Sequence, residues 1–298
     1  MGWALEKTGA VLLTLTTAFL WGTSFPAVTL GLKSGLNPVS FVFFRFSIAS
    51  IPMLLFAIAR KKNIGEVVKN KYCIILGLIN TFSFILQFEG QVYVSASLSA
   101  LIVNLSALFA ATGSAIFLKE KFGTKKIAAV LIALAGVFLL TTKGSLSMDF
   151  NEALGVILLG LTAVGWAAYV VIDKRMLERM EVDALSMTTW IVILTSLFTA
   201  PLLLVYGYTE PSNQLSWSSI LYTALLNTAL PYTIYQVGLE RLTATISSII
   251  LLVEPVVAMF VSSILLGERM EMIQLFGATM ILFSIFLVSL SKDGDAKI

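Results

Sequence analysis

The stretch GQVYVSASLSALIVNLSALFAATGSAIFLKEK, residues 90–121, has a counterpart in GLERLTATISSIILLVEPVVAMFVSSILLGER, residues 238–269. Nine of the 32 aligned positions are identical. Matching Ala, Ile and Leu between two apolar segments says little. Gly90 on Gly238, Glu120 on Glu268 and Ser95-Ala96-Ser97 on Thr243-Ala244-Thr245 share one register and say more. At a slightly different offset Trp21 meets Trp166. The chain therefore reads as two copies of one unit.

Each copy is built from apolar runs of about 20 residues, the length a helix needs to cross ~30 Å of hydrocarbon. A barrel strand would need about 10 residues with alternating character, and these runs do not alternate. Ten spans are predicted, at 8–31, 37–59, 72–90, 95–118, 125–142, 152–173, 184–206, 217–238, 243–266 and 271–290. Composition agrees: the 298 residues are 58% hydrophobic and 12% charged, with a mean hydropathy of +0.93. A soluble domain carries roughly 25% charge to keep its surface wet. The first run is too long for a signal-peptide core and is read as a retained span.

Five spans per copy is an odd number, so the copies must be inverted. The charges agree, since loop 119–126 carries four lysines and its counterpart 267–271 one Arg and two Glu. With the N-terminus inside, sixteen Lys and Arg fall on the inner side and three (Lys33, Lys143 and Arg269) on the outer. That bias predicts cytoplasmic termini in the cell membrane. The expected fold is an all-α polytopic membrane protein, with ten transmembrane helices as two inverted five-helix repeats around a central cavity. Its parts are a first repeat at 8–142, an outer loop at 143–151, a second repeat at 152–290 and a cytoplasmic tail at 291–298. Inverted repeats imply a carrier whose halves exchange inward and outward shapes around a midplane site.

Other chemistries lack their residues. There is no histidine, Cys73 is the single cysteine, and no phosphate-cradling glycine loop occurs. No metal, cofactor or enzymatic activity is expected. A net charge of +3 spread over loops does not suggest nucleic acid. The expected partners are a small-molecule substrate and the lipid bilayer. Small residues in span 5 (Ala128, Ala129, Ala133, Ala135 and Gly136) allow close packing within a monomer or between the chains of a homodimer.

Several segments resemble the ten-helix EamA-type members of the drug/metabolite transporter superfamily. They are Ala18-Phe19-Leu20-Trp21-Gly22-Thr23-Ser24-Phe25, Phe44-Arg45-Phe46, and Leu251-Leu252-Val253-Glu254-Pro255 with Leu265-Leu266-Gly267-Glu268-Arg269 and Gly277-Ala278. The resemblance covers about 8–290. It implies secondary transport without ATP, often efflux of amino acids or other small metabolites. The first repeat departs from the family pattern, with Ser106-Ala107 where span 4 usually has a proline.

A solute path needs polar side chains facing one another. Helical spacing gives such a stripe in span 3 (Asn80, Ser83, Gln87) and in span 6 (Thr162, Trp166, Tyr169, Asp173). Span 8 has Asn227, Pro231 and Tyr235 with Tyr232 beside them, span 1 has Thr14, Thr17, Trp21 and Ser24, and span 4 has Asn104. Trp21, Ser24, Asn80, Gln87, Asn104, Trp166, Tyr169, Asn227, Tyr232 and Tyr235 are the candidate substrate-binding residues. The competing reading is that such groups only join neighbouring helices, at ~0.6–2 kcal/mol each. Spans 5 and 10 are nearly apolar and are expected at the periphery.

Glu254 lies near the middle of span 9, where a carboxylate costs at least ~2.5–3.5 kcal/mol unless protonated, paired or wetted. It is the candidate for proton coupling, against a purely structural role. An uncoupled facilitator or a channel is the alternative function. Arg45 is the only base inside a span. It could snorkel outward, pair with Glu89 or, less readily, Glu254, or hold a substrate carboxylate. Asp173, beside Lys174 and Arg175, reads as an interface residue.

Overall fold

The computed structural model describes residues 2–62, 64–67, 70–106, 108–110, 124–142, 149–179, 183–239, 250–251 and 253–289. All regular structure among them is helical. The helices are α1 (Gly2–Lys33), α2 (Pro38–Ala59), α3 (Lys71–Tyr93), α4 (Ala96–Val103), α5 (Thr124–Thr142), α6 (Phe150–Arg179) and α7 (Ala184–Thr199). They continue with α8 (Gln214–Ala224), a π-helical segment Leu225–Ala229, α9 (Leu230–Leu239), α10 (Val253–Leu265) and α11 (Met272–Ser289). Among the described residues, five stretches are long and apolar enough to cross a bilayer: Gly9–Lys33, Pro38–Ala59, Lys71–Tyr93, Phe150–Asp173 and Leu185–Tyr206.

The distribution of side chains is the reverse of a soluble protein's. Leu12, Phe19, Leu55, Phe82, Leu131, Phe260 and Phe283 are exposed, whereas Thr14, Ser40, Arg45, Asn80, Gln87, Thr195 and Asn227 are buried. A surface that lies in hydrocarbon gains nothing by hiding leucine, and it must hide polar groups. The chain is thus an all-α polytopic membrane protein.

Packing is pairwise. α3 lies along α6, and α1 lies along α8, α9 and α10. α2 lies along α7, and α3 also touches α7 as α2 touches α8. α4 meets α6 and α10, while α5 pairs with α11. In two of these approaches a Cβ at a glycine would come within 3.0 Å of a backbone oxygen on the facing helix. A Cβ on Gly22 of α1 would sit 2.6 Å from the Glu254 carbonyl oxygen on α10. One on Gly136 of α5 would sit 2.7 Å from the Gly277 carbonyl oxygen on α11. Ala129, Ala133 and Gly136 of span 5 are buried within the chain, whereas Ala128 and Ala135 are exposed, and α5 with α11 forms the peripheral pair expected of spans 5 and 10.

Some helix ends differ from those expected. The apolar run through Tyr206 predicts one helix over 184–206, but α7 stops at Thr199. Ala200–Leu202 is a 3₁₀ turn and Leu203–Tyr206 one further turn. Pro201 explains the change, since it has no N–H to continue the α pattern. α4 ends at Val103, and Asn104 and Leu105 turn with Leu105 N donating to Ile102 O at 3.1 Å. Span 4 is thus interrupted without the usual proline. Asn104 stands at the interruption, its Nδ2 donating to Ala100 O at 2.9 Å.

Candidate functional site

The stripes converge where α1, α3, α6, α9 and α10 meet. Trp21 on α1 packs its ring on Tyr232 (centroids 5.9 Å apart) and on Tyr235 (5.3 Å), both on α9. Trp166 on α6 packs edge-on against Phe84 of α3 at 5.0 Å and against Tyr169 at 5.6 Å. Tyr232 Oη donates to Asn80 Oδ1 at 3.4 Å, and Asn80 Nδ2 donates to Thr195 Oγ1 on α7 at 2.7 Å. Tyr169 lies within electrostatic reach of Tyr232, Tyr235, Asp173 and Cys73. Tyr235 in turn faces both Asp173 and Glu254. Glu254 accepts a hydrogen bond from Asn104, so the break in span 4 meets the Glu-Pro step of span 9.

Trp21, Asn104, Trp166, Tyr169, Tyr232, Tyr235 and Glu254 are half-buried, while Ser24, Asn80, Gln87 and Asn227 are buried. Asn227 donates from Nδ2 to Leu20 O and, at 3.1 Å, to Thr23 Oγ1, which also receives the Tyr222 hydroxyl at 2.8 Å. Its Oδ1 has no partner among the described residues. Gln87 shares the buried face of α3 with Asn80 and Ser83.

One expectation needs correction. Arg45 does not pair with Glu89 or Glu254; the one ion pair among the described residues is Lys62–Asp183. Arg45 is 2% exposed and bonds instead to Thr228 Oγ1 (2.8 Å, from Nε), Ser24 Oγ (3.2 Å, from Nη1) and the Asn227 carbonyl (3.2 Å, from Nη2). Its guanidinium lies 4.8 Å from the Phe84 ring centre. The rotation of α2 turns the side chain to the α8–α9 break, while Glu89 stays half-buried at the end of α3. Asp173 stands at the end of the apolar stretch Phe150–Asp173. It faces Tyr169 and Tyr235, and its Oδ1 is buried with no partner among the described residues.

Sequence reading also missed Thr195, Thr228 and Phe84, which look like ordinary apolar-span residues until their neighbours are known. Glu268 was quoted only as part of a motif. Its carboxylate caps α4, accepting from Ala96 N (2.8 Å), Ser97 N (3.1 Å) and Ser97 Oγ (2.6 Å). The N-terminus of a helix offers unpaired N–H groups and a partial positive charge, which an acid satisfies.

A polar and aromatic seam inside a bundle whose outer surface is apolar is what a membrane transporter of small solutes requires. Residues 8–142 and 153–290 each match the EamA-like transporter family, and the chain belongs to that family. A transporter of uncharacterized function from Archaeoglobus fulgidus is 25% identical over 284 residues, covering 93% of this chain and 96% of its own. A probable amino-acid metabolite efflux pump from Salmonella typhimurium is 26% identical over 290 residues, covering 92% and 93%. One solved crystal structure superimposes with a TM-score of 0.68 at 16% identity, over 94% of this chain and 96% of that one, so the fold is shared. The chain is a secondary transporter of small solutes; the helical membrane architecture and the family match agree on this.

Proposed function

We propose that this chain exports an amino acid or a related small metabolite across the cytoplasmic membrane by alternating access, with both termini cytoplasmic. The observation that carries the reading is the seam itself. Trp21, Asn80 and Asn104 come from the first family segment, and Trp166, Tyr169, Tyr232, Tyr235 and Glu254 from the second. A site built from both halves changes its access when the halves rock. The similarity to a probable amino-acid metabolite efflux pump supports the cargo class and the direction.

Packing supports two inverted repeats, 8–142 and 152–290. A two-fold axis that exchanges span 1 with 6, 2 with 7, 3 with 8, 4 with 9 and 5 with 10 turns the α3–α6 contact into that of α1 with α8 and α9. It turns α1–α10 into α4–α6, and α3–α7 into α2–α8. The α2–α7, α4–α10 and α5–α11 contacts map onto themselves. All of these contacts occur.

In this reading Glu254 carries a coupling proton, since it is a carboxylate beside the aromatic seam with Asn104 as its hydrogen-bond partner. Proteoliposomes loaded with a panel of radiolabelled amino acids and metabolites test the proposal. Saturable flux of a panel member is expected, accelerated by a pH gradient. Glu254→Gln should abolish concentrative flux and spare exchange. No flux above empty liposomes for the whole panel would sink the transport reading. Gradient dependence that survives in Glu254→Gln would sink the coupling, leaving an uncoupled facilitator. Flux that never saturates would indicate a channel.

A further inference from the structure

The irregular segment between α8 and α9 removes one specific α-helical hydrogen bond. In an α-helix the Asn227 carbonyl would accept from the N–H of residue 231. That residue is Pro231, which has none. Asn227 is 0% exposed, so bulk water does not reach it. Just before the proline the helix widens into the π segment, with Leu230 N donating to Leu225 O. Thr228 Oγ1 donates to Thr223 O at 3.0 Å, five residues back.

One side chain from another span meets both irregular residues. Arg45 Nη2 donates to the Asn227 carbonyl at 3.2 Å and its Nε to Thr228 Oγ1 at 2.8 Å. Nη1 ties the same guanidinium to Ser24 on α1 at 3.2 Å. The ring of Phe84 lies 4.8 Å from its carbon, which suits a buried guanidinium. A lysine could not do this, because its ammonium is a point charge without the planar fork. The residues just beyond the break are Tyr232 and Tyr235, the two rings that pack on Trp21.

We propose that Arg45 is a positioning residue: its guanidinium replaces the hydrogen bond that Pro231 removes, and so fixes where Tyr232 and Tyr235 stand in the site. It does not touch cargo. The proposal rests on the site described above for its consequence, but not for its geometry.

If Arg45 stands in for a missing N–H, restoring that N–H should make it partly dispensable. The experiment is a cycle of Arg45→Met, Pro231→Ala and the double variant, read by hydrogen exchange of full-length protein in detergent. Arg45→Met is expected to speed exchange about tenfold over 225–235, with no such change in α5 or α11. The double variant should return to within about threefold of the wild type. Arg45→Lys, which keeps the charge, should lie between, and it replaces Arg45→Met if that variant does not fold. For any panel amino acid carried in liposomes, Arg45→Met should raise KM more than it lowers kcat, and Pro231→Ala should reverse that shift.

An Arg45→Met defect of equal size with and without the Pro231→Ala substitution would overturn the proposal, because a direct cargo contact or a general packing role would not depend on that proline. Accelerated exchange spread evenly over all helices would overturn it as well. Failure of the whole liposome panel would end the proposed transport reading but leave the exchange cycle intact, so the two failures are distinguishable.

Discussion

The two ends of the α2–α7 pair solve one problem with different chemistry. At one end Asn37 caps α2, its Oδ1 accepting from Ser40 N at 2.7 Å. The same side chain reaches the loop after span 7, donating to Gly207 O at 2.9 Å and Thr209 Oγ1 at 2.8 Å. Ser40 Oγ accepts from Thr209 N at 2.9 Å. At the other end Asp183 caps α7, accepting from Ser186 N at 2.8 Å and Ser186 Oγ at 2.9 Å, and reaches the loop after span 2 through Lys62. Each cap thus grips the chain that leaves the other helix. The first latch is neutral and the second ionic. In the orientation proposed above the ionic one is cytoplasmic, where topology already demands lysines. The geometry follows from two antiparallel helices, while the charge follows from the side of the membrane.

This contrast can be broken most strongly at the neutral end. Asn37→Ala loses a cap worth about 1 kcal/mol and two tethering hydrogen bonds of ~0.5–1.5 kcal/mol each. A loss of about 2–4 kcal/mol is expected by combining the two, read as a lower melting temperature in detergent that does not change with salt. Asn37→Asp should keep the cap and lose the tether to Gly207 O, while the Thr209 hydroxyl can donate to the carboxylate instead, giving a smaller drop. An unchanged melting temperature in Asn37→Ala would show that the latch does not hold this end.

The ionic end should respond to pH, with a smaller effect. Burial opposes the charge on Asp183, but the bonds from Lys62 and from the Ser186 amide and hydroxyl outweigh it and hold the carboxyl below its ordinary value. A depressed folded-state value means stability that is fully present above the unfolded value of ~3.9 and lost as pH falls through the folded one. Asp183→Ala should therefore cost about 1–2 kcal/mol at neutral pH, a difference that shrinks towards pH 3. The Asn37 variants should show no such trend, because an amide does not titrate there.

The smallest effect belongs to Lys62→Gln. Its side chain is 39% exposed and that of Asp183 32%, so the pair is worth ~0–1 kcal/mol. The difference from the wild type should vanish in 1 M salt, where the Debye length is about 3 Å. A salt-independent difference would mean that Lys62 acts through packing.

Other parts of the molecule differ in how far the residues announce them. The Glu254-Pro255 step stands out because a carboxylate in an apolar run is expensive wherever the helix points. Trp21, Trp166, Tyr232 and Tyr235 were selected by spacing along their own helices, and the tertiary structure adds which of them touch. Arg45 went the other way. Its depth suggested a carboxylate partner, but depth says nothing about rotation, and rotation gives it the carbonyl that Pro231 leaves free. Gly22 is part of a weak Trp-Gly pair in the sequence and becomes informative only when the Glu254 carbonyl is found against it.

The linear chain specifies what the bilayer enforces. Unpaired backbone and exposed charge are so costly in hydrocarbon that apolar runs of a given length must become helices, whatever they later touch. Basic loops and the register of 90–121 on 238–269 add an expected orientation and an expected inversion. Which helices pair, where span 8 widens, which carbonyl Arg45 serves and which carboxylates Tyr235 faces were decided only by the packed bundle. Those contacts depend on helix rotation and on a few tenths of an ångström at glycine, and lipid, as apolar as the helices themselves, does not dictate them.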